Sequence, residues 1–352
     1  MSPVFQLRHR PPGAGRSSPV IEMARLSPLI GCLVLLASPF GRADAADPVP
    51  LAVQSRIELG DVQGRIDHLA VDLKRQRLYV AELGNDTVGV VDLKEGKVIQ
   101  TLRGLKEPQG IGYEPRTDTL YIANGKDGSV RLYQGADLSS LDSIELGDDA
   151  DNVRIDEPAH RVWVGYGSGS LAAIDAQSRE KVADIPLPAH PESFRLDPNG
   201  QEIFVNLPRA RQIAVVDRSM GKQVATWKTD LLLGNFPLAL DDAGQVLSVF
   251  RIPARLAVFR KQDGQRVQVL DTCGDSDDLF FDSKRHHVYI TCGEGAIDVF
   301  SHEGSGYRHL GRLATSPGAR TALFVPELDR LYLAVRATSA TPAAIWVVRP
   351  EP

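Results

Sequence analysis

The residues richest in chemistry fall into two columns that recur at intervals of about 42 positions. The first column holds Asp67, Gln109, Asp151, Glu192, Phe236, Asp277 and Arg320. The residue after each gives His68, Gly110, Asn152, Ser193, Pro237, Asp278 and Thr321. Together they carry five carboxylates, one imidazole, two amides and one guanidinium. Carboxylates aimed at a common point repel, which costs stability unless a cation, an arginine or a proton offsets it. Asp151, Asn152, Glu192 and Asp277 form an oxygen-rich set suited to a hard cation such as Ca²⁺ or Mg²⁺. Adding His68 turns that chemistry toward Zn²⁺ or Fe²⁺, while Arg320 offers a guanidinium to one or two of the acids. A third arrangement needs no ligand, because Asx side chains also cap turns by accepting backbone N–H groups. Turn capping, ligand binding and a catalytic metal site all remain open at this stage.

What positions these columns is a repeated pattern, spelled most clearly from Leu69 to Leu102 as LAVDLKRQRLYVAELGNDTVGVVDLKEGKVIQTL. Short runs of Val, Ile, Leu, Tyr and Thr in partial alternation are separated by the Gly, Asn and Asp of tight turns, the signature of an antiparallel meander. Copies begin at residues 69, 111, 153, 194, 238, 279 and 322. Seven copies of a four-stranded unit that cannot bury both faces alone predict a closed seven-bladed β-propeller. The seventh copy supplies only three strands, and an extra strand at residues 52–59 precedes the first. That strand is expected to become the outer strand of blade 7, closing the ring. The two polar columns then sit where the chain enters the innermost strand of each blade, around one mouth of the axial channel.

The segments LYVAELGNDTVGVVDLKEGKVIQTL and LYIANGKDGSV resemble YVTN-type β-propeller repeats of the YncE-like bacterial group, over roughly residues 52–349. The Trp-Asp dipeptide of intracellular WD-repeat propellers is missing, in keeping with the bacterial resemblance. The resemblance implies the propeller fold and allows several functions, since one fold hosts many chemistries.

Repeats running to the C-terminus leave no room for a second domain, so residues 46–352 are read as one propeller domain. Residues 1–45 have another character. Arg25, the apolar run LSPLIGCLVLLASPF and an Ala43-Asp44-Ala45 cleavage site predict a secretory signal, with Met23 as an alternative start. The run is too short and too proline-broken to span a membrane. Leu29, Ile30, Gly31 and Cys32 resemble a lipobox, but most of the apolar residues follow Cys32, which argues against a lipoprotein. The expected location is the periplasm or the exterior. Without residues 1–45, 35 basic residues face 43 acidic ones. Such an acidic protein is a poor general nucleic-acid binder, because duplex affinity rests on neutralising phosphates.

Cys273 and Cys292 are the cysteines that remain after cleavage, and in an oxidising compartment the pair predicts a disulfide. Free thiols and a soft-metal pair are the alternatives. GYGSGS at residues 165–170 joins two strands and reads as a hairpin turn. His286 and His287 read as a solvated turn, and His190 as a loop histidine able to support Glu192. Trp163, Trp227 and Trp346 read as blade packing. Arg209, Arg211, Arg218, Arg251, Arg255 and Arg260 interleave with Phe204, Phe250 and Phe259; strand alternation reads them as an ordinary charged surface, the alternative being a place where a single-stranded nucleic acid or another anion would be held.

No nucleophile elbow, HExxH or Walker motif is present. The residues therefore favour a non-catalytic binding platform. Its acidic funnel would hold a small ligand or a divalent cation, and its loops would meet an envelope protein. The alternatives are a metal-dependent, lactonase-like hydrolase and an anion or single-stranded nucleic-acid binder.

Overall fold

The computed structural model describes residues 49–304 and 306–351. The expected leader, with Met23, Cys32 and the cleavage site, lies outside the described residues. Seven four-stranded antiparallel sheets form the seven blades of a β-propeller. Strand β1 spans Leu51–Glu58. Blades 1 to 6 are built from β2–β5 (residues 69–102), β6–β9 (108–145), β10–β13 (153–186), β14–β17 (194–228), β18–β21 (233–271) and β22–β25 (276–314). Blade 7 takes β26–β28 (322–350) and completes itself with β1. The register between β1 and β28 runs from Leu51 opposite Pro350 to Glu58 opposite Ala344. The closure expected from the sequence is thus present, with the first and last strands paired.

The strands form because their alternation gives each sheet two apolar faces. Residues such as Tyr79, Tyr121 and Tyr289 pack fully buried between blades. The outer strands carry the polar remainder, as in β5, where Lys97, Ile99 and Gln100 are exposed. Asp92 shows how a third strand is ended. Its Oδ1 accepts the backbone N–H groups of Lys94 at 2.8 Å and Glu95 at 2.9 Å, fixing the turn that the Asp-Leu-Lys-Glu-Gly sequence demands. Asp175 and Asp217 do the same in blades 3 and 4. GYGSGS is a hairpin between β11 (Arg161–Tyr166) and β12 (Ser170–Asp175), as its sequence predicts.

The trailing ends of the inner strands are tied between blades by ion pairs. Arg75 bridges Asp72 and Asp118 at 2.7 Å each, and Arg285 bridges Asp282 at 2.9 Å and Asp329 at 2.6 Å. Arg218 reaches Asp156, and Lys261 holds Asp197 at 2.7 Å. Cys273 and Cys292 form a disulfide with a Cα–Cα distance of 5.9 Å, joining the loop before blade 6 to the end of β23 (His287–Cys292). Among the described residues no helix is long and apolar enough to cross a membrane.

Candidate functional site at the channel mouth

The leading ends of the inner strands are assembled by backbone contact between blades. The His68 N–H donates to the Gln109 carbonyl at 3.2 Å, and a side chain at Gly110 would come within 2.0 Å of the Asp151 carbonyl. Only glycine lets blade 2 approach the entry loop of blade 3 so closely. Around this mouth the two polar columns converge, joined by cations that the columns did not contain.

His68 lies between two acids, with Nδ1 3.7 Å from Asp278 and Nε2 3.8 Å from Asp67. Burial pulls its imidazolium down, but the Asp278 and Asp67 carboxylates outweigh that effect and lift its pKa to about 9. Asp278 also accepts the Ala322 N–H at 2.8 Å. Burial raises the Asp278 carboxyl, yet His68 and this amide hold it below its ordinary range. Asp67, 2 % exposed, is pushed up by burial to about 6, against the opposing charges of His68 and of Arg65 at 2.7 Å.

His190 forms a second pair across blades 3 and 4. Its Nε2 lies 3.7 Å from Asp151, and its Nδ1 lies 2.6 Å from the Gly167 carbonyl and 3.5 Å from Asp149. Burial lowers the imidazolium, and Asp151 and the Gly167 carbonyl more than restore it, to about 9. His190 stands in a loop, as expected; its hydrogen-bonding and ion-pair neighbours are Asp151, Asp149 and Gly167, and its charge also acts on Glu192. Glu192, half-buried and, among the described residues, without an ion-pair partner within 4.0 Å, is pushed up to about 7 by burial and by the Asp151 charge.

Blade 5 breaks the columns with Phe236 and Pro237, and a residue from its second strand compensates. Arg251, on β19 (Gln245–Ile252), stacks 3.6 Å above the Phe236 ring and reaches Asp277 at 2.6 Å. Arg320 meets Asp277 at 2.9 Å and Asp275 at 2.8 Å. Burial still leaves Asp277 above its ordinary range despite Arg320 and Arg251. Gln109 donates to Asp149 at 3.2 Å, and Asn152 accepts from Arg154 at 2.7 Å.

The predicted acids thus come together, but the funnel is zwitterionic where the sequence led us to expect an acidic one. The proposed oxygen set is likewise divided: Asp151 faces His190, Asn152 faces Arg154, and Asp277 faces Arg251 and Arg320. Among the described residues no three His, Cys, Asp or Glu side chains gather as a group that could hold a metal ion.

The arginine strip does not form a stacking platform. Phe204, Phe250 and Phe259 are buried in the core, Arg251 is in the funnel, and Arg218, Arg255 and Arg260 pair with Asp156, Asp271 and Asp263. A cleft of about 780 Å³ near Trp163, Leu196 and the Asp156–Arg218 pair lies at the trailing ends of β10 and β14, away from the funnel.

Sequence reasoning missed Arg65, Arg154, Arg195 and Arg336 and placed Arg251 in the arginine strip; all five belong to this electrostatic cluster. The signal for two of them was present. Arg154 and Arg195 are each the second residue of an inner strand, at matching register opposite Trp163 and Phe204.

No protein-family profile matches the chain. Among curated proteins it is 23% identical over 214 residues to "Uncharacterized protein YncE" of Salmonella typhimurium, covering 54% of this chain and 60% of that protein. It is 24% identical over 173 residues to the protein of the same name from Salmonella typhi, covering 44% and 49%. The chain therefore spans 49% to 60% of the length of these relatives. Two solved structures share the fold alone. One is Kuenenia stuttgartiensis hydrazine synthase, with a TM-score of 0.72, 16% identity and coverage of 79% of this chain and 94% of that chain. The other is a chain of the mitotic checkpoint complex, with a TM-score of 0.71, 13% identity and coverage of 95% and 99%.

Proposed function

We propose that the chain, a seven-bladed β-propeller similar to the YncE proteins, is a binding platform whose axial funnel holds a small polar ligand. The observation that carries this reading is the convergence on one channel mouth of ionisable or amide side chains from all seven blades, many of them buried or half-buried. Assembling such a set removes charge from water, which is costly when its purpose is stability alone. Propellers present small-molecule sites at such concave, pre-formed mouths. An exported, periplasmic setting belongs to the same reading, and the Cys273–Cys292 disulfide supports it, since such bonds persist in oxidising compartments. An envelope protein is the partner class that would meet the rim loops.

The test is a thermal-shift and calorimetric screen of residues 46–352 against sugars, amino acids, organic acids, oxyanions and divalent cations. One class is expected to raise the melting temperature saturably; a ligand at 100 times its Kd contributes about 2.7 kcal/mol. That protection should disappear in a Glu192→Gln/Arg320→Ala variant. If no class binds, and mass spectrometry finds no small molecule carried through native purification, the platform reading fails.

A further inference from the structure

We propose that the ligand is an anion, a small compound bearing a carboxylate or phosphate group, seated between Arg154 and Arg195. This rests on the binding-platform reading and names its ligand class.

The first support is register. The residue one after each repeat start, paired with the second strand of its blade, is Ala70, Gly112, Ala239, Phe280 or Leu323 in five blades. Small or apolar side chains suit that position, which packs close to the axis between blades. Blades 3 and 4, adjacent in the ring, place arginine there instead. Two neighbouring departures of the same kind, in a repeat otherwise free of charge at that position, mark a local purpose.

The second support is geometry. Arg154 Nε and Arg195 Nη1 both donate to the Phe194 carbonyl, each at 3.1 Å. Arg154 also donates to the Val153 carbonyl at 2.8 Å and to Asn152 at 2.7 Å, and Arg195 to Ser193 Oγ at 3.3 Å. Every one of these acceptors is uncharged. The contacts hold the two guanidinium groups side by side and leave N–H groups on both unused, since each carries five. Among the described residues neither group has a carboxylate within 4.0 Å. Asp278, the acid that acts on both, is already engaged by His68 and the Ala322 amide.

Two like charges fixed together out of bulk water are destabilised until an anion joins them. Burial, followed by the charge of Arg195, pulls the Arg154 pKa down to about 9, and burial lowers Arg195 as well. Arg336, just beyond β27 (Arg330–Val335), lies in the field of Arg320 and Arg65 and, among the described residues, has no acid within 4.0 Å. Its Nε is buried and has no hydrogen-bond partner. The planar fork of arginine matches the paired oxygens of carboxylate and phosphate.

The experiment measures binding of acetate, succinate, citrate and inorganic phosphate by calorimetry at constant ionic strength, with chloride as the reference anion. Residues 46–352 are compared with an Arg154→Met/Arg195→Met variant, an Arg154→Lys/Arg195→Lys variant, and Arg75→Met as a control arginine outside the funnel. One of the four anions is expected to bind the wild type saturably. Its affinity should fall at least tenfold in the methionine variant, fall less in the lysine variant, and hold in the Arg75 control. Should the methionine variant fail to fold, the lysine variant decides, since it keeps the charge and loses the fork. If none of the four binds beyond chloride, the anion assignment is overturned. In that case a sugar or cation whose binding depends on Glu192 would leave the platform reading standing, and the absence of any ligand would remove both. Tight binding of a single-stranded oligonucleotide through the same two arginines, without binding of the small anions, would overturn the small-ligand assignment.

Discussion

The two ends of the inner strands use the same residue types to opposite effect. At the trailing ends, Arg75 and Arg285 each grip two carboxylates from adjacent blades, and a tyrosine hydroxyl closes each cluster, Tyr113 onto Asp118 and Tyr289 onto Asp282, both at 2.7 Å. At the leading ends, Arg154, Arg195 and Arg336 touch no carboxylate among the described residues, and Glu192 touches no cation among them. The trailing-end bridges are fully paired, whereas the channel mouth mixes paired groups, such as Arg251 and Arg320 on Asp277, with unpaired ones. The fold spends charge on cohesion at one mouth and keeps it available at the other.

The largest effect that would test this contrast is expected from Arg285→Ala. It strips the partner from Asp282, which is 2 % exposed, and should lower the unfolding free energy by about 3–5 kcal/mol in urea titration. A loss below about 1 kcal/mol would mean that the trailing-end bridges do not hold the blades together.

A smaller effect should appear with pH. His68 and His190 titrate near 9 in the folded chain against an ordinary 6.5, so the folded state binds their protons more tightly. Their contribution is complete below pH 6.5 and is lost as pH rises through about 9, on the order of 2–3 kcal/mol for each imidazole. Asp67 and Glu192, also raised, act in the same direction, their share being lost as pH passes through about 6 and about 7. Chemical denaturation between pH 6 and pH 9.5 should show a steady decline. A flat profile would mean that the histidines are not held by their acids.

Glu192→Gln should reverse part of that decline. It removes a carboxylate that burial and Asp151 disfavour, and should gain about 1–2 kcal/mol at pH 8 and nothing at pH 5. The smallest expected effect is that of Arg154→Met, which exchanges an uncompensated guanidinium for an apolar chain. Its melting temperature should stay within about 2 °C of wild type or rise, the equivalent of less than about 1 kcal/mol. A clear drop would sharpen the comparison differently, showing that the bonds to Phe194, Val153 and Asn152 support the inner strands.

The fold was legible because its causes are local. Alternation makes each strand, Asp and Gly make each turn, and repetition supplies the ring, down to the N-terminal strand that completes blade 7. The acids of the mouth could also be read, since aligning the repeats places Asp67, Asp151, Glu192, Asp277 and Asp278 in register. Their neutralisation could not. His68 meets Asp278 only because the ring closes, and Arg251 reaches Asp277 from the second strand of the preceding blade. Such pairings depend on which blades are neighbours and how far a long side chain extends. Arg154 and Arg195 were readable in principle, but only from the strand position two residues past the second column, where arginine replaces Ala, Gly, Phe or Leu.

The pairing of β1 with β28 has a consequence for how the chain comes into being. Among the described strands, the one that must be captured is made first, and the one that captures it is made after all the others. Throughout synthesis β1 is a waiting edge, with backbone donors and acceptors open to any other extended chain. Arg56 and Glu58, exposed along it, are the kind of charged residue that discourages such mispairing. Completion is therefore checked at the final residues: a chain cut short before Ala344 would carry six whole sheets and no means of joining its ends.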